Sequence, residues 1–437
     1  MPSEDIALCG GKPLTCKQSL ARLLRAPEIG NEEIAAAKRV LLSRKLNRVS
    51  SDEVEKFEKE FSRYIGTKHA LVVNSGTAAL HASLAALGLG PGDEVIVPAY
   101  TYMAAAHAVL HQNAIPIFAD IKPDNFNIDP LLIEGAVSER TKAIIVPHLF
   151  GCPAEMNAIM RIARRHHFYV VEDCCQACGA EYEGRKVGSI GDIGCFSFGE
   201  NKNMTTGEGG AITTDLSEVD KEARIVAHEG EVFGNLASTT SKQQKLPISS
   251  AMFYNHIGYN YRMSAIHAAI GRVQLQKLED MNARKISNAR YINERLLESG
   301  LFTPQTCTRN AKHLYTYYVG ILRHKKVSRD MFIECLNAEG IGAGTFYPTP
   351  LPYNPIFKER KGYGKTTCPF SCPLHDDIVT VYDEKFPVAE EVCNSQVALP
   401  VHGYQCQSDL DIIVRAFEKV ATFFDRFGQV AEAKTKN

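Results

Sequence analysis

The chain has 437 residues, of which 45% are hydrophobic and 23% charged, a composition typical of a globular protein with two or three domains and a large core. Lysine plus arginine number 49 and aspartate plus glutamate 50, which argues against a nucleic-acid or acidic-membrane partner, since either would need a basic excess. No apolar run is long enough to cross a bilayer, the N-terminus lacks a signal-peptide pattern, and the 13 cysteines are scattered, so we expect a cytoplasmic protein with reduced thiols.

The first part of the chain changes from breakers to helices and then to short apolar runs. Residues 1–30 contain glycine and proline breakers, and helical patterns follow at residues 31–45 and 50–66, where Ser50 or Ser51 is the expected N-cap. From residue 69 onward, helical segments alternate with apolar runs, which are HALVV (69–73), DEVIVP (93–98), AIPIFADI (114–121), KAIIVPHLF (142–150) and FYVVEDCCQ (168–176). This alternation predicts an α/β protein with a mostly parallel sheet between helices.

A long helical pattern connects this region to the rest of the chain. It runs from about Met263 to Glu298, with an apolar stripe made of Met263, Ile266, Ile270, Val273 and Leu278. The residues that follow mix short strands with helices. We therefore expect an irregular N-terminal segment (1–30), a large α/β domain (31–285) and a smaller C-terminal α/β domain (286–437).

Polar residues follow two of the predicted strands. HALVV leads into Ser75, Gly76 and Thr77 at the start of a helix, where backbone amides can bind a phosphate, although this segment alone is better explained as a plain N-cap. FYVVED ends in Asp173, a carboxylate that is costly to bury unless it faces a cation or hydrogen-bond donors. A turn or capping aspartate is an equal alternative. Gln176, three residues further on, can hydrogen-bond in the same pocket.

A lysine lies in the loop after a third apolar run, CFSF. Ser197 belongs to that run, Lys202 follows it, and a glycine cluster (207–210) comes next. A loop lysine is usually only solvated. However, a phosphate cradle, a strand-end carboxylate and a lysine are what pyridoxal phosphate requires: a phosphate site, an acid facing its pyridinium nitrogen and an amine for a Schiff base. The sequence therefore predicts a pyridoxal phosphate site in which Lys202 holds the aldehyde.

Longer stretches around these residues carry a resemblance to a known family. They are NSGTAALHASLAALGLGPGDEVIVPAYTY, VVEDCCQACGAEYEGRKVGSIGDIGCFSF, KNMTTGEGGAI, GYNYRMSAIHAAIGRVQL and FPVAEEVCNSQVALPVH. From about residue 28 to its end, the chain resembles the sugar aminotransferases of the DegT/DnrJ/StrS type. This resemblance implies the fold-type-I architecture of aspartate aminotransferase, with pyridoxal phosphate as the cofactor.

The resemblance also implies a role for each matching residue. Lys202 forms the Schiff base and then moves the proton, Asp173 pairs with the pyridinium nitrogen, and Gln176 lies near the ring hydroxyl. Tyr102 stacks on the ring, with a core residue as the alternative. The phosphate is bound by Ser75, Gly76, Thr77 and Ser197.

Further implied roles concern a second chain and the substrate. Asn260 reaches the phosphate of its neighbour in a homodimer with shared active sites, or is simply an N-cap. The segments expected to bind the substrate are Arg48 to Ser50, the 228–256 loop, and Phe346 with Tyr347.

The activity implied by the resemblance is transamination. An amino group moves from glutamine or glutamate, through the cofactor, to a ketone on a sugar nucleotide or cyclitol in ping-pong order. The alternative is a dehydratase or aromatising enzyme of the same family, similar to 3-amino-5-hydroxybenzoate synthase, although Lys202 excludes the dehydratases that carry a histidine there. A non-enzymatic regulator is a third possibility, which no helix-turn-helix pattern or basic arm supports.

Two segments depart from the family pattern. Relatives often have PLH near the substrate, whereas TPLPYNP (349–355) places Pro352 in the histidine's position. The run CPFSCPLH (368–375) is similar to cysteine–proline runs in relatives that act on cyclitol ketones. Its Cys368, Cys372 and His375 have a spacing that could suit a metal, but the cluster has no clear fourth ligand, so we predict no metal site.

Overall fold

The computed structural model describes residues 5–15, 27–232, 253–254, 256–371, 373–374, 382 and 384–427. The strands are β1 His69–Val73, β2 Glu94–Pro98, β3 Ile115–Ala119, β4 Thr141–Pro147, β5 Tyr169–Asp173, β6 Glu181–Tyr182, β7 Arg185–Lys186, β8 Ile193–Ser197, β9 Gly210–Thr214, β10 Glu231–Val232, β11 Phe253–Tyr254, β12 Phe302–Pro304, β13 Ala311–Lys312, β14 Tyr318–Leu322 and β15 Gln396–Leu399. The α-helices are α1 Asn31–Ser43, α2 Glu53–Ile65, α3 Gly76–Ala86, α4 Ala104–His111, α5 Pro130–Ile133, α6 Met156–His166, α7 Ser217–Ala227, α8 Ala265–Glu298, α9 Arg329–Ala338, α10 Pro355–Lys358, α11 Pro387–Ser395 and α12 Gln407–Phe427.

Seven of these strands form one central sheet, in the order β1-β9-β8-β5-β4-β2-β3. Strand β9 runs in the opposite direction to the other six strands of this sheet, and the pairs from β8 to β3 are parallel. Alternate residues of β1 enter different apolar cores, Leu71 and Val73 on one face and Ala70 and Val72 on the other. The mostly parallel sheet with both faces covered is therefore confirmed. Its parallel strands end at one edge, where the candidate site lies.

A second, smaller core lies beyond helix α8. The antiparallel sheet β12-β14-β15 packs with α9 and α12 around buried residues such as Phe332 and Phe417. Part of the predicted irregular segment joins this core, because Ile6 is fully buried in it and the Ala7 amide donates to Glu339 at 2.8 Å. The boundary at 285/286 falls inside the continuous helix α8, and the three-part division stays a prediction.

Two local expectations differ from the structure. Asp52, not Ser50 or Ser51, is the N-cap of α2, because the helix begins only at Glu53. The expected stripe on α8 is also split: Leu278 is buried, but Ile266, Ile270 and Val273 are only half-buried. The buried face of α8 consists instead of small residues near its start, where α1 packs closely. No helix in the described part of the chain is long and apolar enough to cross a membrane.

Candidate active site

The carboxylate of Asp173 lies at the centre of the edge where the parallel strands end. Asp173 is the last residue of β5, which runs between β4 and β8, and only 8% of its surface is exposed. Its Oδ1 accepts a hydrogen bond from the Cys175 amide at 3.1 Å. A carboxylate buried to this extent favours a cationic partner, because burial in an apolar medium penalises an uncompensated charge.

The start of helix α3 lies against the end of β8. Ser75 caps the helix by accepting the Ala78 amide at 3.1 Å, so the plain N-cap interpretation holds for this residue. The amides of Gly76 and Thr77 stand in the first turn, where a helix has no carbonyl to accept them. A Cβ on Gly76 would lie 2.7 Å from Cys175 Sγ and 2.8 Å from Ser197 Cβ. The helix terminus and the Ser197 hydroxyl therefore form one cradle that suits a phosphate.

Lys202 lies in the loop that follows β8. The lysine is half-buried, and its amide donates to the Gly199 carbonyl at 3.1 Å. Burial raises the pKa of the Cys175 thiol well above its usual value, the Asp173 carboxylate raises it further, and the charge of Lys202 lowers it. The charges of Asp173 and Lys202 therefore both reach the same sulfur. The structure brings Gly76, Asp173 and Ser197 together around Cys175, with Lys202 within electrostatic range of that thiol.

An aromatic wall adjoins Asp173. Gln176 accepts the Phe150 amide at 2.8 Å and donates to the Tyr347 hydroxyl at 2.8 Å. The Tyr347 ring stacks on Phe150 with centroids 5.9 Å apart, and Tyr102 lies 6.4 Å from Tyr347. Tyr102 is 60% exposed, so it is not a core residue and its ring is available to a ligand. Burial raises the pKa of Tyr347, with a further contribution from Asp173, which keeps the phenol neutral.

Phe346 belongs to the same wall. Its ring lies 4.6 Å from that of Tyr317 and 5.3 Å from that of Phe150. Sequence reasoning named Phe346 and Tyr347 but missed Cys175, Phe150 and Tyr317. Cys175 was detectable, because it stands two residues after Asp173 in EDCCQ, whereas the other two carry no local signal.

Arg48 and Ser50 lie in a different place in this chain. They line a cleft of about 820 Å³ that does not include Lys202 or Asp173 among its lining residues. The Arg48 guanidinium forms two hydrogen bonds to Glu58, at 2.6 and 3.1 Å, and Arg224 binds the same buried carboxylate at 3.1 Å. A contact between Arg48 or Ser50 and the substrate stays a prediction.

The remaining predicted residues are Asn260, the cysteine cluster and the 228–256 loop. Asn260 is exposed, and its carbonyl accepts the Asn74 side chain at 3.2 Å. It is not a helix N-cap, because that position of α8 is occupied by Ser264. Cys372, His375 and most of the 228–256 loop lie outside the described residues, so the metal-free state of the cysteine cluster stays a prediction.

Comparison with known proteins gives a consistent set of similarities. The model of the DegT/DnrJ/EryC1/StrS aminotransferase family matches residues 27–381. GDP-perosamine synthase of Caulobacter vibrioides is 34% identical over 84% of this chain and 90% of its own length. L-glutamine:2-deoxy-scyllo-inosose aminotransferase of Streptomyces paromomycinus is 32% identical over 85% of this chain and 87% of its own length. The crystal structure of DesV from S. venezuelae, in complex with a ketimine intermediate, superimposes with a TM-score of 0.75 at 30% identity and covers 91% of this chain and 99% of that one.

The contact at Gly76 leads to a test of the cradle. Gly76→Ala places a methyl group against Cys175 and Ser197, so we expect the free energy of unfolding to fall by about 1–3 kcal/mol and the affinity for pyridoxal phosphate to weaken. Gly90→Ala is the matched control, because a Cβ there meets no atom within 4 Å, and it should change stability by less than about 0.5 kcal/mol. Denaturant unfolding and cofactor titration measure both. Equal behaviour of the two variants would contradict the cradle.

Proposed function

We propose, from the premise that the chain belongs to the DegT/DnrJ/EryC1/StrS aminotransferase family, that it uses pyridoxal phosphate to move an amino group from glutamine or glutamate to a ketone on a sugar nucleotide or cyclitol. The observation that carries this proposal is the convergence of a buried carboxylate, a helix-terminal phosphate cradle and a lysine around Cys175. These are the three groups that this cofactor needs from a protein.

The residues present fit the cofactor at both of its ends. Ser197 and the amides of Gly76 and Thr77, together with Ser75 at the helix start, would hold the phosphate. Asp173 would face the pyridine nitrogen. The negative phosphate would then meet backbone amides at one end of the site, and the cationic ring nitrogen would meet a carboxylate at the other. The exposed ring of Tyr102 would cover one face, and Gln176 would meet the ring hydroxyl while its orientation is held by Phe150 and Tyr347.

The chemistry follows from where this chain places charge and a proton carrier. When bound, pyridoxal phosphate supplies a ring that withdraws electrons from the carbon bearing the amino group. Asp173 would lie beside the ring nitrogen and hold its proton there, because a buried carboxylate is best compensated by a cation beside it. Lys202 Nζ would attach the cofactor and would then carry the proton between the two carbon positions as a general base and acid. The same amine would serve both halves of a ping-pong reaction.

The acceptor class rests on the relatives and on the wall of the site. One relative is named for a GDP-linked sugar and the other for a cyclitol ketone, at 34% and 32% identity, which supports both acceptor types as candidates. Phe346 and Tyr347 form a half-buried aromatic surface beside Asp173, suited to the apolar face of a six-membered ring. Pro352 is buried here, where relatives often carry a histidine.

Three features support a homodimer with shared sites. The half-buried Ile266, Ile270 and Val273 on α8 leave apolar surface that a second copy can cover. Asn260 is exposed, so its side chain is available to a second copy. The cleft lined by Arg48 and Ser50 also lies apart from this chain's own lysine.

The activity itself is tested by restoring the aldehyde form of the cofactor. The pyridoxamine form of the enzyme is mixed with a panel of keto sugars and inososes, and the return of aldehyde absorbance is followed together with the products. We expect at least one acceptor to be aminated, and Lys202→Ala to react roughly 1,000-fold more slowly or worse, because the proton carrier is lost. Lys186→Ala is the control, since Lys186 is bound to Glu181 and Glu279 on the surface. Dehydrated or aromatised products in place of amines would refute transamination.

Sharing of the sites is tested with mixed dimers. Lys202→Ala and Asn260→Asp chains are each expected to be nearly inactive, because the second puts a negative charge beside the phosphate. After random exchange about half the dimers are mixed, and each has one intact site, so activity should rise to about a quarter of the wild-type value. Verified exchange without any recovered activity would place each site within a single chain.

A further inference from the structure

A fully buried histidine and glutamate lie directly behind Asp173. His148 follows β4 and Glu172 precedes Asp173 on β5, and both side chains have no exposed surface. His148 Nε2 lies 3.0 Å from Glu172 Oε2. The other carboxylate oxygen, Oε1, accepts the amides of Ile190 and Gly191 at 2.7 Å each. Complete burial acts to raise the pKa of Glu172, but the interactions with His148 and with backbone amides outweigh it, so the pKa is lowered.

The hydrogen bonds also determine where the histidine carries its proton. His148 Nδ1 accepts the amide of Ala154 at 3.1 Å, so this nitrogen is unprotonated. The proton is therefore on Nε2, where it is donated to Glu172. Both ring nitrogens and both carboxylate oxygens are thus occupied by protein groups. The pair joins strand β5 to the turn that runs from His148 to Ala154.

That turn reaches the candidate active site. Phe150, in its middle, has a φ of 59°, a left-handed conformation that is unfavourable for a bulky residue and persists only where the surroundings hold it. The Phe150 amide donates to Gln176, and Gln176 donates to Tyr347. Asn127 holds the same turn from another side, through the Leu149 amide at 2.9 Å and the Cys152 carbonyl at 3.0 Å. The His148 ring links this turn to β5 in addition to the backbone, where the His148 amide donates to the Asp173 carbonyl at 3.1 Å.

We propose that His148, held by Glu172, is a positioning residue that aims Gln176 and Tyr347 at the ring of the bound cofactor. The inference rests on the proposed function, because it assigns the ring hydroxyl and the substrate to the side that Gln176 and Tyr347 face. The two ring nitrogens of His148 bind Glu172 and Ala154, not Gln176 or Tyr347. It acts through the Ala154 amide, the left-handed turn and the Phe150 amide, in that order.

Two substitutions separate the two hydrogen bonds of the ring. His148→Gln keeps a donor for Glu172 but loses the acceptor for Ala154, and His148→Asn keeps an acceptor near Ala154 but no longer reaches Glu172. Leu410→Ala is the control for general destabilisation, because Leu410 is buried in the second core, remote from the site. Each variant is prepared as holoenzyme. The measurements are thermal unfolding, kcat and KM for the amino donor, and the visible circular dichroism of the bound cofactor, which reports how its ring is held.

We expect both His148 variants to bind pyridoxal phosphate, to show a changed visible dichroism and to lose roughly 10- to 100-fold in kcat, since small displacements of positioning groups cost this much. Leu410→Ala should keep the wild-type dichroism and kcat despite a lower unfolding temperature. Folded His148 variants with wild-type dichroism and kcat within two-fold would overturn the inference while leaving the proposed function intact. Failure of both variants to fold would assign the ring a structural role only and overturn it as well. A wild-type enzyme that binds no pyridoxal phosphate would refute the proposed function, and this inference with it.

Discussion

The site depends on one constraint, the burial of the Asp173 carboxylate at the edge where the parallel strands end. A charge in this position must be compensated, and the neighbouring elements are arranged accordingly. Strand β8 and helix α3 bring a phosphate cradle to one side, and the loop after β8 brings Lys202 close to the same sulfur, Cys175. A ligand with a cationic nitrogen at one end and a phosphate at the other satisfies both requirements at once. The buried His148–Glu172 pair lies immediately behind and joins the end of β5 to the turn after β4.

Most of the large domain could be predicted from the sequence because its strands are buried on both faces. Such strands are apolar throughout, so HALVV coincides with β1, and the runs for β2 to β5 lie within one to three residues of the observed strands. The direction of β9 could not be predicted, because it depends on pairing with two distant strands. The apolar stripe of α8 was divided for a related reason: the core shared with α1 contains Ala265 and Ala269, and Ile266 and Val273 pack at its margin, only partly buried.

The candidate site could be predicted where it follows strand ends and not where it depends on long-range packing. Parallel strands deliver their last residues to one edge, which is why Asp173, Ser197 and Lys202 could be identified together. The hydrogen bond from Gln176 to Tyr347 spans 171 residues of sequence, and no local pattern announces it. Arg48 is a residue that was predicted for the site but lines a different cleft in this chain. The family resemblance suggested that it binds the substrate, yet within one chain its guanidinium is bound to the buried Glu58.

The central claim is that Asp173 holds a positive charge on the cofactor, and Asp173→Asn tests it most directly. The amide has the same shape but cannot hold the proton, so the variant should fold, bind pyridoxal phosphate at Lys202 and transfer an amino group from glutamate at least about 100-fold more slowly. Asp192→Asn is the matched control, because Asp192 lies at the opposite end of the sheet, where it accepts the Val170 amide at 2.7 Å, and its half-reaction rate should stay near wild type. A rate for Asp173→Asn equal to that of the control would contradict the claim.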